Sequence, residues 1–465
     1  MPLAQSYRPD VKLVELGEAF FDAVEPAKFP ECRPRFLNRR SAATVGFGEL
    51  AEAEWAAHFC RFEPLPGNLE KPLALRYHGH QFRVYNPDIG DGRGFTFAQL
   101  RDDRGRLLDL GTKGSGQTPY SRGADGRLTL KGGVREVLAT EMLEALGVNT
   151  SKSFALFETG EELTRGDEPS PTRSSVLTRL SHGHIRIGTF QRQAFFRDAE
   201  AINRLVRYCL EHLFAEAPEA DDSDNAQRLF ALVSEATTGL AASYMAAGFV
   251  HGVLNSDNIN VTGESFDYGP WRFTPYWDGD FTAAYFDHYG LYSFGRQPEA
   301  IQWDLAQLAG CLALVTEAPP LSDELSRWGE RFEAAIVDKL LWRLGVERRG
   351  GSDDGELASA LARALETREA TIDRLFFGWR GGRDPGVEAY PQEAFRALAA
   401  LLHGRERPQS HPYWSDPEPC AMHIEEVEAI WSAIAERDDW TPFEAKIASI
   451  RRMGEAMQED APDAP

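Results

Sequence analysis

His251-Gly-Val-Leu-Asn-Ser-Asp257-Asn258, with Asp267-Tyr-Gly269 close behind, is the stretch on which the reading of this 465-residue chain turns. It follows a long helix-periodic run over 228–247. Asn258 and Asp267 are hard oxygen donors nine residues apart, either side of a strand-like turn. Mg²⁺ or Mn²⁺ wants such ligands and completes its shell with phosphate oxygens. Asp257 is the nearby carboxylate of that segment that could act as a base.

Upstream, in order, stand Gly90-Asp91-Gly92-Arg93-Gly94, then Lys113 at the end of a strand-like run, then Arg135-Glu136 in a helix-like stretch. That order matches the parts of a protein-kinase nucleotide site. In the kinase pattern H-R-D-x-x-x-x-N the catalytic Asp lies two residues after the His and the metal-binding Asn seven after it. The Asn register holds at Asn258, but the catalytic slot is Val253. A valine cannot accept a proton, so the chain keeps the ATP and metal apparatus while lacking the usual base.

Each upstream part has a plainer alternative. The glycines at 90–94 let a backbone approach phosphate oxygens and Arg93 adds a charge, yet a Gly/Asp cluster between strands also makes a tight hairpin. Lys113 can pair with phosphates and be held by a helix glutamate, or stand exposed in a glycine turn. Glu136 is its register partner; Glu141, nearer the middle of the apolar stripe, is the reserve. Arg179 and Arg186 could clamp phosphates or make salt bridges. The polar run Tyr120–Arg127, with Arg122, Asp125 and Arg127, is richer in charge than a loop requires. The His78/His80 and His182/His184 pairs have no cysteine or carboxylate cluster beside them in sequence, so zinc is not expected.

The layout predicts an α+β fold. Residues 1–70 read as mixed and irregular. Strands are predicted at 82–85, 95–100, 107–110, 154–157 and 176–180, a helix at 134–146 and a loop at 161–175. From about 197 the pattern is helical, with long runs at 202–214, 228–247 and 300–314. Amphipathic helices follow to 460, and the tail from 458 is expected to be disordered. The formal charge of −22 and the absence of a Lys/Arg run argue against nucleic acid as a partner. Five scattered cysteines without a C-x-x-C pair suggest a reducing compartment. No apolar leader and no span of about eighteen apolar residues is visible, so a cytoplasmic protein without a membrane segment is expected. No heptad or apolar stripe stands out, and a monomer is expected.

Taken together, His78-Gly-His-Gln-Phe82, Gly90-Asp-Gly-Arg93, Lys113-Gly-Ser-Gly-Gln-Thr-Pro-Tyr-Ser-Arg-Gly-Ala-Asp-Gly126, Arg135-Glu136, Leu177-Thr-Arg-Leu-Ser-His-Gly-His-Ile-Arg186, His251–Asn258, Asp267-Tyr-Gly-Pro270 and Gly295-Arg-Gln-Pro298 resemble the selenoprotein O family of pseudokinases. The likeness spans roughly 73–310. It implies a kinase-like two-lobed fold with a helical C-terminal extension, divided as 1–187, 188–320 and 321–465. It also implies ATP bound in a flipped orientation, with AMP passed to a protein Ser, Thr or Tyr hydroxyl and pyrophosphate leaving. On that resemblance Gly90, Gly92, Arg93, Lys113, Asp125, Gly126, Arg179, Arg186 and Asp267 hold the nucleotide, and Glu136 orients Lys113. Asn258 and Asp267 hold the divalent metal, Mg²⁺ or Mn²⁺, and Asp257 is the proton acceptor. The chain departs from the family near its C-terminus, where the last cysteine is Cys420, so a redox role there is not expected. The C-terminal third resembles the family weakly. A phosphotransferase using Asp257 as a displaced base, and an ATP-binding scaffold without turnover, remain the alternatives.

Overall fold

The computed structural model describes residues 6–166, 168–386 and 389–459. Strands dominate the first 181 residues and helices the remainder. The main sheet contains β1 (Phe21–Ala23), β2 (Arg33–Leu37), β3 (Leu73–Leu75), β6 (Thr96–Arg101), β7 (Leu107–Lys113), β9 (Lys152–Leu163) and β10 (Thr172–Ser181). Their order is β1-β3-β6-β7-β10-β9-β2, with the two-residue β8 (Leu128–Thr129) also on β10. The pairings are antiparallel. A separate hairpin, β4 (Gly79–Gln81) with β5 (Val84–Asn86), stands beside it.

β7 is buried along its whole length, because both sheet faces are covered. One face meets an aromatic core of Phe47, Trp55, Phe59, Phe97 and Phe154, in which Phe59 and Phe154 meet edge-on at 5.0 Å. The opposite face meets α3 (Leu130–Ala145). The first seventy residues, read from sequence as irregular, supply both edge strands of the sheet. They also supply α1 (Arg39–Thr44) and α2 (Glu52–Phe59), which cover the aromatic face. The segment owes its order to that long-range packing rather than to local periodicity. Cys32 and Cys60 form a disulfide that ties the start of β2 to the end of α2. The scattered spacing of the cysteines had suggested a reducing compartment and gave no sign of this pairing, which long-range packing brings about.

α3 begins at Leu130, where Thr129 Oγ1 accepts the Gly132 N–H, four residues before the helix expected at 134. Gly133 allows the helix to lie on the sheet, since a Cβ there would stand 2.4 Å from Leu156 Cδ1. The expected loop at 161–175 shrinks, because β9 and β10 run on to Leu163 and start at Thr172.

The second half contains α4 (Ile187–Phe195), α5 (Ala199–Tyr208), α6 (Asp222–Ala247), the short pair β11 (Phe249–Val250) and β12 (Arg272–Phe273), and α7 (Gln297–Leu312). It continues with α8 (Ala318–Ser326), α9 (Trp328–Leu344), α10 (Gly351–Glu366), α11 (Ile372–Trp379), α12 (Glu393–Leu402), α13 (Ile424–Arg437) and α14 (Thr441–Glu459). α6 is capped by Asp221, whose side chain accepts the Ser223 N–H, and ends at Gly248 with φ 68°. α14 returns to α3, where Arg451 donates to both Glu141 oxygens at 2.7 and 3.0 Å. Of the tail expected to be disordered, Gln458 and Glu459 complete α14, and 460–465 lie outside the described residues. Among the described residues no helix is long and apolar enough to cross a membrane.

Candidate active site

A cleft of about 440 Å³ opens between the sheet and the segment that follows β11. Its sheet-side wall includes Gly90, Gly92, Arg93 and Lys113; its helical-side wall includes Val253, Asp257, Asn258 and Asp267. Lys113, the last residue of β7, donates to Glu136 Oε1 on α3 and to the Tyr268 carbonyl at 3.3 Å. Both partners of the Lys113–Glu136 pair are buried. Burial pushes the Lys113 ammonium down from its ordinary value, with the Glu136 charge opposing. Glu141 takes no part in the cleft, because Arg451 and Asn38 occupy it. α3 is covered on both sides, so its apolar stripe did not decide which glutamate meets the lysine.

Asp267 is the centre of charge. It holds a left-handed backbone conformation, φ 61°, which a non-glycine residue adopts at a cost of about 1–3 kcal/mol. Arg179 Nη1 lies 2.6 Å from its Oδ1, Arg186 Nη1 3.4 Å from its Oδ2 and Lys113 Nζ 3.8 Å from its Oδ1. Burial alone would raise this carboxyl; the charges of Arg179, Arg186 and Lys113 outweigh burial and hold it well below the usual carboxylate range. Arg186 also reaches Asp91 Oδ1 at 3.3 Å and lies over the Tyr77 ring at 4.2 Å. The Nε atoms of Arg179 and Arg186 are buried and have no partner among the described residues. Arg93 and Arg122 line the same cleft, exposed and without an ion pair among the described residues.

The glycines serve the protein's own packing. A Cβ on Gly94 would stand 2.1 Å from the Thr112 carbonyl oxygen, and one on Gly90 would enter the Tyr120 ring at 2.5 Å. The 90–94 segment is therefore pressed onto β7 and Tyr120, which keeps the cleft open in front of it.

The loop after β11 is pinned from several directions. The His251 N–H donates to Gln297 Oε1 at 3.0 Å, and its buried ring lies 3.1 Å from the Phe266 carbonyl oxygen through Nε2. Asn255 Oδ1 accepts from the Phe82 N–H at 3.0 Å and from the Tyr292 hydroxyl at 2.8 Å. Ser256 Oγ accepts from the His80 N–H and donates to Gln191 Oε1. These contacts fix Asp257, which is 7% exposed and whose Oδ1 has no partner among the described residues. Burial pushes its carboxyl up to about 6, with the Arg186 charge opposing. Asn258 Nδ2 donates to the Val253 carbonyl at 2.9 Å, and its Oδ1 has no donor among the described residues.

The structure brings Gly90, Gly92, Arg93, Lys113, Arg179, Arg186, Asp257, Asn258 and Asp267 to one cleft, with Glu136 behind Lys113. Asp125 and Gly126 do not line it. The Asp125 carboxylate accepts from Arg165 at 2.8 and 3.1 Å, and Gly126 packs onto the Gly116 carbonyl. Sequence reasoning did not single out Tyr77, Gln81, Asp91 or Asn255 as wall residues. Asp91 lies inside the quoted glycine motif, so its place there was the available signal. Asn255 likewise lies inside the quoted His251–Asn258 stretch, whereas Tyr77 carries no local signal and reaches the cleft through packing. The four histidines of the H-x-H pairs do not converge: His78 meets Tyr85 and His184 meets Asp109.

A family profile described as protein adenylyltransferase SelO matches residues 3–403. The protein nucleotidyltransferase YdiU of Synechococcus elongatus is 40% identical, covering 97% of this chain and 96% of the relative. The protein of the same description from Gloeobacter violaceus is 42% identical over the same shares. That of Pseudomonas putida is 33% identical over 82% of this chain and 76% of its own length. With a matching profile over most of its length and relatives of this similarity end to end, the chain belongs to the SelO/YdiU family of protein adenylyltransferases.

Proposed function

We propose that this chain transfers AMP from ATP to Ser, Thr or Tyr hydroxyls of acceptor proteins, with pyrophosphate leaving. One observation carries the reading. Val253 lines the cleft where a kinase base would stand, while Asp257, four residues on, lines the same cleft with an unpartnered carboxylate oxygen. In this reading the β-rich residues 1–187 and helical residues 188–320 act as the two lobes of a kinase-like unit, with 321–465 an extension. The strand-to-helix pair Lys113–Glu136 at the interior of the cleft supports it.

ATP enters with its terminal phosphates toward Lys113, Arg179 and Arg186; their buried charges, and the Nε–H donors of the two arginines that have no partner among the described residues, suit several phosphate oxygens. The α-phosphorus then lies toward Asp257. The acceptor hydroxyl oxygen bonds to that phosphorus, the bond to the bridging oxygen of pyrophosphate breaks, and the hydroxyl proton passes to the Asp257 carboxylate. Arg93 and Arg122 at the wall neutralise the charge that develops on the phosphoryl oxygens. Asn258 Oδ1 and Asp267 are hard donors that fit Mg²⁺ or Mn²⁺. Asn258 and Asp267, both in the cleft wall, would hold such an ion together with phosphate oxygens of the nucleotide. When bound, the ion supplies charge neutralisation on the phosphates.

The test incubates protein, divalent metal and ATP labelled on either the α- or the γ-phosphate, with wild type beside Asp267→Ala. Protein label from α-labelled ATP alone, lost in Asp267→Ala, is the expected result. Label from γ-labelled ATP alone would establish phosphoryl transfer instead, and ATP binding without label would leave a scaffold.

A further inference from the structure

A second cavity, of about 620 Å³, lies between the sheet and α6 and shares no wall residue with the active-site cleft. Its walls come from α1, the β6–β7 turn, the end of α3 and the loop into β9, the end of β10, residues 262–264, α6 and α9. Three observations mark it as built. Ser181 is 1% exposed, yet its Oγ has no partner among the described residues. Gly239, in the middle of α6, faces open space: a Cβ there would meet nothing within 4 Å. A helix-interior glycine costs roughly 0.5–1 kcal/mol relative to alanine, so packing gives no reason to keep it. Lys339 on α9 is half-buried and has no ion pair among the described residues, its neighbour Asp338 being taken by Arg348.

The charges in these walls do not cancel. Asp102 is used by Arg106, and Glu144 by Arg40 and Lys152. Glu264, also in the wall, accepts the His182 N–H at 2.8 Å, and burial pushes it up to about 7, so much of it is uncharged near neutrality. Lys339 and Arg104 are left without ion-pair partners among the described residues; Asp103, beside Arg104 in the same wall, also has none, so the surplus is a single positive charge, carried by the half-buried Lys339. An anion with further hydrogen-bonding groups fits this set: the cations meet the charge, and the Ser181 hydroxyl and Glu264 carboxyl meet hydroxyls. Volumes of about 300–1,000 Å³ are those of small-molecule sites.

We propose that this cavity is a second ligand site that takes a phosphomonoester metabolite, its phosphate toward Lys339 and Arg104 and its hydroxyl-bearing body over Gly239 against Ser181 and Glu264. The site is independent of the transfer chemistry. Arg179 and Ser181 nevertheless share β10, and Glu264 precedes Asp267 by three residues, so occupancy has a short route to the cleft.

Ribose 5-phosphate is the probe, with ribose and inorganic phosphate as controls, measured by calorimetry on the full chain. Saturable binding of ribose 5-phosphate is expected, with none of ribose. Gly239→Leu, which fills the open floor at a helix position that favours leucine, should weaken it at least about tenfold, and Lys339→Gln similarly. ATP affinity should be unchanged in both variants. Failure to bind, or binding indifferent to Gly239→Leu, overturns the proposal. So does displacement of the probe by ATP in direct competition, which would place the sugar phosphate in the cleft. Inorganic phosphate binding as tightly as the ester would reduce the cavity to a bare anion pocket and overturn the assignment to a phosphomonoester.

Discussion

Replacing Asp257 with asparagine separates the role of this carboxylate from its cost. Its pKa is pushed from the ordinary 3.8 to about 6, chiefly by burial. At about 1.36 kcal/mol per unit, an ionised Asp257 costs the folded state about 3 kcal/mol relative to the unfolded chain. The sign follows from which state loses its proton first. Below pH 3.8 both states are protonated and there is no penalty. Between 3.8 and about 6 the unfolded chain ionises while the folded one does not, so stability falls as pH rises. Above about 6 the penalty is complete. Asp257→Asn keeps the shape without the charge, so the variant should melt higher than wild type at pH 7.5, and the difference should shrink toward zero as pH approaches 3.8. Scanning fluorimetry across that range measures it, and the α-labelled ATP assay on the same preparations should show transfer lost. Wild-type transfer should rise with pH through a midpoint near 6, where the base becomes available. A folded Asp257→Asn that melts no higher than wild type at pH 7.5, or that still transfers AMP at the wild-type rate, would refute this account of the residue.

Other variants test the supports. Lys113→Met leaves Glu136 buried without its cation and should destabilise the fold by about 3–5 kcal/mol; adding Glu136→Leu should restore much of the melting temperature but no activity. Gly94→Ala forces a Cβ onto the Thr112 carbonyl and should cost about 1–3 kcal/mol and weaken ATP binding, read by melting and calorimetry. Reducing the Cys32–Cys60 bond, which closes a separation of 28 residues, should lower stability by about 3–4 kcal/mol, and Cys32→Ser should melt at the same temperature with and without reductant.

Much of the site was written locally. Asn258, Asp267 and the valine at 253 are a matter of spacing along one loop, and Lys113 ends a strand whose apolar run is visible in sequence. These features follow from short-range chemistry: hard oxygens at fixed intervals, a glycine turn, a periodic helix. Register along the chain pointed to Glu136 and the structure pairs it with Lys113; what holds Glu141 away was not local, since Arg451, more than three hundred residues downstream, claims it. Asp125, which the family resemblance assigned to the nucleotide, is likewise taken by Arg165, forty residues on. The first seventy residues looked irregular because their aromatic side chains have no periodic partner nearby, and they become edge strands and a covering layer only when the sheet is present to receive them. The sequence alone determined which chemistry the chain can carry, since side-chain type and loop spacing survive in any conformation. Tertiary structure decided which of several like charges meet, how deeply Asp257 is buried and hence its proton affinity, and where space is left unfilled, because each depends on what distant segments place against it.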